Sequence, residues 1–242
     1  MFLNKIKPEV EERVANSKTF GNFANAFKPD LTNIIAEIKF ASPSKGIIRG
    51  DLSAVEVADM YIENGATALS VLTEPKYFQG DINYIKQIKE KHPNFPILRK
   101  DFILDEYQLY EAKIYGADAA LLIMAFIGTA KTSQLIKKAN EIGLDILLEV
   151  HDESEMKEAL KTDAKIIGVN NRNLQTLKIS LDTSRHLAKY ITQDRVFICE
   201  SGIENSKTII EMKALGYKGF LIGSHFIECK HPGDALNKIL NQ

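Results

Sequence analysis

Short apolar runs alternate with amphipathic, charge-rich stretches from about residue 34 to the end of the chain. The apolar runs 34–40, 68–73, 96–100, 118–124, 144–150, 165–170, 195–200 and 218–223 predict strands. The stretches 53–64, 82–91, 105–115, 131–142, 153–161, 181–190, 206–215 and 234–240 predict helices. Eight strand–helix units are the count of a closed (β/α)8 barrel, so the fold class is α/β, a single TIM barrel. Gly65, Gly116, Gly143 and Gly216 each stop a helix just before a strand, as left-handed C-cap residues do. An open doubly wound sheet is the rival. It calls for G-x-G-x-x-G after the first strand, where this chain reads Ala41-Ser42-Pro43-Ser44-Lys45-Gly46. Residues 1–33 precede the barrel. Ile6, Val10 and Val14 share one helical face, and Phe20, Phe23 and Phe27 add a second apolar set. These predict an N-terminal helical extension packed on a catalytic barrel of residues 34–242.

Polar residues interrupt the strands where a packed barrel does not want them. Side chains of a barrel strand alternate between the interior and the helix layer. Ile34, Ala36, Ile38 and Phe40 form the helix-facing set of the first strand, so Glu37 and Lys39 point inward near its C-terminal end. Glu149 shares the inward face of the fifth strand with Leu147, and Lys100 is in phase with Leu98 on the third. Asn170 ends the sixth strand, and the seventh runs into Glu200-Ser201-Gly202. All lie at C-terminal strand ends, where barrel enzymes carry their chemistry. A structural ion pair accounts equally well for Glu37 with Lys39. The full set at one mouth points to acid–base catalysis. Burial there is expected to pull lysine pKa values down and glutamate values up.

A second feature concerns phosphate. Ser201-Gly202 follows the seventh strand, and Gly223-Ser224 follows the eighth and opens a short helical stretch. Glycine admits backbone N–H groups to an anion, and loops seven and eight are where barrels bind phosphate. A phosphorylated small molecule is the expected partner.

Composition narrows the class. With 31 Lys+Arg against 32 Asp+Glu, the charge of −1 is spread along the chain and argues against a nucleic-acid surface. The longest apolar run, 119–128, is too short to span a bilayer, and the acidic N-terminus is unlike a signal peptide. Two cysteines without CxxC spacing suit the cytoplasm and no structural zinc. His92, His151, His186, His225 and His231 show no metal-binding spacing, so no metal is expected. His151 is left out of the site on strand alternation, and Cys199 reads as a core residue. A monomer is expected.

Seven segments carry a family resemblance: IIAEIKFASPSKG (34–46), SVLTEPKYFQG (70–80), LRKDFI (98–103), LLEVHDE (147–153), IGVNNRNL (167–174), ICESGI (198–203) and FLIGS (220–224). In this order they resemble the indole-3-glycerol phosphate synthases of tryptophan biosynthesis. The resemblance implies a cofactor-free lyase. It would convert 1-(2-carboxyphenylamino)-1-deoxyribulose 5-phosphate to indole-3-glycerol phosphate, carbon dioxide and water. It implies that Lys100 protonates the ketone oxygen, that Glu149 handles protons in the loss of water, and that Glu37 and Lys39 are the paired strand-one groups. It implies that Asn170 and Glu200 hold the reacting part of the substrate, with Ser42 and Arg172 as further polar contacts. Ser201, Gly202, Gly223 and Ser224 match the phosphate cradle, and Phe78, Phe102 and Leu174 the aromatic slot. Phe40 and Ser224 depart from the family's common basic and acidic residues there. Rival readings are a Schiff-base aldolase, with Lys100 or Lys39 as the amine nucleophile on a sugar phosphate, and a non-catalytic phosphate-binding scaffold that docks other enzymes of the pathway.

Overall fold

A computed structural model of the chain describes residues 23–241. Eight parallel strands close into a barrel in chain order: β1 (Asn33–Ile38), β2 (Ala68–Leu72), β3 (Ile97–Lys100), β4 (Ala119–Ile123), β5 (Asp145–Val150), β6 (Ile166–Asn170), β7 (Val196–Glu200) and β8 (Gly219–Ile222). The long helices are α1 (Ala54–Glu63), α2 (Asn83–Lys91), α3 (Glu106–Tyr115), α4 (Met124–Glu141), α5 (Glu153–Ala159), α6 (Asp182–Leu187), α7 (Ser206–Ala214) and α8 (Pro232–Leu240). The predicted TIM barrel is the observed fold. Its helices begin where the sequence supplies caps: Ser53 with Glu56 forms a capping box on α1, and Asp105 with Gln108 another on α3. The four predicted C-cap glycines all have positive φ.

Alternation sorts the apolar residues into two cores. Ile34, Ala36 and Ile38 pack outward with Val57, Tyr61 and the other helix residues. Ile35, Leu98, Leu121, Leu147, Ile198 and Leu221 fill the barrel interior. Phe23 and Phe27, edge to face at 5.5 Å between ring centroids, pack against this inner core and close its N-terminal end. Gly219 leaves room for this plug, because a Cβ there would sit 2.7 Å from Phe27 Cε1. Ile6, Val10, Val14 and Phe20 of the expected extension lie outside the described residues.

Several boundaries differ from the sequence pattern. β1 stops at Ile38, so Lys39 and Phe40 belong to the following loop, where Ala41–Ser42 and Gly46–Ile47 form a small antiparallel hairpin. Pro75–Phe78 is a short helix whose first N–H groups are capped by Glu74. α4 starts at Met124 rather than near 131 and is broken at Gly128, which has φ 73°. α8 begins at Pro232 because proline fits the first helical turn, where no N–H is needed. Among the described residues no helix is long and apolar enough to cross a membrane.

Candidate active site

At the C-terminal mouth, loops from the strands surround a cleft of about 800 Å³. The inward alternation that the interior enforces delivers the charged residues to its floor. Lys100, at the end of β3, reaches Glu200 Oε2 at 2.8 Å and Glu149 Oε2 at 3.0 Å. Lys39 pairs with Glu37 Oε1 at 2.6 Å. Glu37, Glu149 and Glu200 are all nearly fully buried. Space for two of the carboxylates comes from missing side chains. A Cβ on Gly168 would collide with Glu200 Oε1, and one on Gly223 with Glu37 Oε1.

Expectation and finding part over electrostatics. Burial penalises the ammonium of Lys100, yet the charges of Glu149, Glu200 and Glu37 overcome that penalty and raise its pKa. The lysine is therefore not driven toward neutrality. Burial likewise opposes ionisation of Glu149 and Glu37, but Lys100 and His151 hold Glu149 low, and Lys39 and Lys100 hold Glu37 low. Only Glu200 follows the burial rule. Desolvation, resisted by Lys100 and reinforced by Glu149, pushes it up to about 7. Glu37 and Glu149 each face two cations, which together outweigh desolvation, whereas Glu200 faces Lys100, shared with Glu149, and desolvation prevails.

Every residue singled out from the sequence lines the cleft: Glu37, Lys39, Ser42, Phe78, Lys100, Phe102, Glu149, Asn170, Arg172, Leu174, Glu200, Ser201, Gly202, Gly223 and Ser224. Asn170 Oδ1 accepts from the Ser201 hydroxyl at 2.9 Å and from Arg172 N at 3.0 Å, which leaves its NH2 as the group offered to a ligand. Ser201 and Gly202 are both left-handed, with φ 65° and 79°. Phe78 and Phe102 stand 6.3 Å apart at the rim, with Phe126 behind Phe102 at 5.6 Å.

Two residues were missed. His151 does reach the site's machinery, because residues two apart share a face and β5 ends between Glu149 and the imidazole. Its Nε2 is 3.1 Å from Glu149 Oε1 and its Nδ1 is 3.1 Å from Glu155 Oε2. Burial lowers its pKa but the two carboxylates prevail, raising it to about 9. Arg49 lies in the loop after β1, and the sequence pattern does not single it out. Its guanidinium donates to the carbonyls of Ile227 (3.0 Å) and Cys229 (2.7 Å), tying the loop after β1 to the loop after β8. Periodicity carries no signal for the Arg49 contact, which joins segments 178 residues apart, whereas the period of two counted from Glu149 does put His151 on the same face. Cys199 is buried in the helix-facing core, where desolvation lifts its thiol to about 11. Among the described residues no three His, Cys, Asp or Glu side chains are grouped to hold a metal ion.

The fold and the site define a barrel enzyme of the acid–base kind, with a partly buried lysine flanked by buried carboxylates beneath an open cleft. A family model, indole-3-glycerol phosphate synthase, matches residues 3–239. The chain is 44% identical over 224 residues to the indole-3-glycerol phosphate synthase of Caldanaerobacter subterraneus subsp. tengcongensis, covering 93% of this chain and 87% of that protein. It is 40% identical over 237 residues to the one of Albidiferax ferrireducens, covering 98% and 89%. The chain belongs to the indole-3-glycerol phosphate synthase family. The solved 3-hexulose-6-phosphate synthase of Salmonella typhimurium has the same fold, with TM-score 0.69, 17% identity and coverage of 86% and 96%.

Proposed function

We propose that the chain catalyses ring closure of 1-(2-carboxyphenylamino)-1-deoxyribulose 5-phosphate, with loss of carbon dioxide and water, to indole-3-glycerol phosphate. It would act in the cytoplasm as a monomer on this phosphorylated small molecule, without nucleic acid, membrane or cofactor. Residues 34–242 are the catalytic barrel and 1–33 its extension.

The observation that carries this reading is Lys100, a partly buried ammonium between Glu149 and Glu200 at the cleft floor. When the carboxylate-bearing aryl carbon attacks the ketone, negative charge builds on the ketone oxygen. A fixed ammonium stabilises that charge without reorganisation. An alkoxide is far more basic than an amine, so the proton passes to it even from a lysine whose pKa is raised. Loss of carbon dioxide then restores the aromatic ring. Departure of the hydroxyl as water needs one donor and one acceptor. Glu149, held ionised, suits the acceptor. Lys39, paired with Glu37, suits the substrate carboxylate or the developing oxyanion. Asn170 and Glu200 would hold the reacting segment, with Ser42 and Arg172 as further polar contacts. Ser201, Gly202, Gly223 and Ser224 would take the phosphate, and Phe78, Phe102 and Leu174 the aromatic ring. A Schiff-base reading needs a neutral amine, and the three carboxylates around Lys100 oppose one.

The test is fluorescence of the indole product formed from the carboxyphenylamino-deoxyribulose phosphate. The chain has no Trp to mask it. Turnover without added cofactor is the expected result. A lysine adduct trapped by borohydride, with no indole product, would overturn the reading.

A further inference from the structure

Asn171 follows Asn170 at the end of β6, but it does not line the cleft. Its side chain turns toward the helix layer and is 2% exposed. The amide NH2 donates to the carbonyls of Glu200 at 3.0 Å and Ser201 at 3.1 Å, and lies 3.3 Å from the Cys199 sulfur. The carboxamide oxygen accepts from Ser184 N in α6 at 3.0 Å. Its own backbone N–H donates to Glu200 O at 2.9 Å. One buried side chain thus joins the ends of β6 and β7 to α6.

The two carbonyls it holds are those on either side of the Ser201 backbone dihedrals. Ser201 has φ 65°, a conformation that a residue with a Cβ adopts only when its surroundings impose it. Pinning both oxygens to one NH2 group imposes it. In that conformation the Ser201 hydroxyl reaches Asn170 Oδ1, and Gly202 continues the turn along the cleft wall. The carbonyl of Glu200 is fixed by the same amide, directly before its side chain meets Lys100.

We infer that Asn171 is a positioning residue: it holds the Ser201–Gly202 turn and the Glu200 backbone in their ligand-binding arrangement without touching the ligand. The inference rests on the reading of this cleft as the site of a phosphorylated substrate. A merely structural Asn171, capping α6 and filling the core, would alter stability and leave ligand affinity alone.

The experiment is a cycle of Asn171→Ala, Ser201→Gly and the double variant. Each is measured for inorganic phosphate binding by calorimetry, for KM and kcat, and for thermal stability. Asn171→Ala is expected to weaken phosphate roughly tenfold and to raise KM by a similar factor, with kcat changing less. In the Ser201→Gly background the further loss should shrink to about twofold, because glycine adopts positive φ without help. If the Ala variant does not fold, Asn171→Ser, which keeps one donor, should show an intermediate loss in the same cycle. An equal loss in both backgrounds, or a lower Tm with phosphate affinity unchanged, overturns the inference while leaving the proposed function standing. A wild-type protein that binds no phosphate and forms no product overturns both.

Discussion

Both ends of the barrel bury lysines beside carboxylates, and only one end is built to react. At the N-terminal end, Lys89 Nζ meets Asp118 Oδ2 at 2.7 Å and also donates to the carbonyls of Phe95 (2.7 Å) and Pro93 (3.3 Å). Asp118 in turn accepts from Ile97 N at 2.9 Å, and Lys113 donates to Gly143 O at 2.8 Å. Burial dominates there, raising Asp118 and lowering Lys113. At the mouth, among the described residues, Lys100 bonds only to carboxylates, and Glu200 Oε1 has no hydrogen-bond partner. The same residue types are saturated by backbone in one place and left facing a cleft in the other. Backbone saturation makes a buried ion pair structural. Side-chain partners around a cavity leave its protons free to be used.

Three measurements bear on this contrast. Lys100→Ala should lower turnover on the order of 10³-fold, the range of a lost general acid, and should also lower Tm, because Glu149 and Glu200 are left buried without their cation. Product fluorescence checks it, and wild-type turnover would leave the mouth no different from the opposite end. Lys89→Met should lower stability alone and spare turnover. Leaving Asp118 buried without its cation costs about 3 kcal/mol in urea unfolding, with kcat unchanged. A fall in kcat with stability intact would break the comparison.

The smallest effect concerns pH. The pKa of His151 is raised from 6.5 to about 9, so its contribution to stability is complete below 6.5 and is lost as pH rises through 9. His151→Asn should therefore cost on the order of 2 kcal/mol near pH 6 and almost nothing near pH 10. Glu200 acts lower. Its pKa is raised from 4.5 to about 7, so its burial carries no penalty below 4.5 and a full one above 7. Thermal unfolding curves of wild type and His151→Asn should converge at high pH. Parallel curves would mean that His151 is not held charged by Glu149 and Glu155.

Much of the site was legible because barrel alternation is local. Glu37, Lys100 and Glu149 could be assigned inward from their neighbours alone, since a period of two leaves each strand residue only two directions. The sign of the pKa shifts was not legible. It depends on three glutamates from three strands meeting one lysine, and no window of sequence contains that meeting. His151 stands two residues past Glu149, so the same period of two puts it on the inward face, and leaving it out misapplied that rule. Arg49 and Asn171 act on loops 178 and 29 residues away, so spacing holds no trace of them.

The amino-acid pattern by itself determined the eight units, the inward set of charged residues and the family, because periodicity, caps and motifs are properties of neighbouring residues. Tertiary structure alone decided which carboxylates share Lys100, which of them stays near neutral, and which turns are held left-handed behind the cleft wall. Those are outcomes of distance and burial between strands, and they exist only once the barrel has closed.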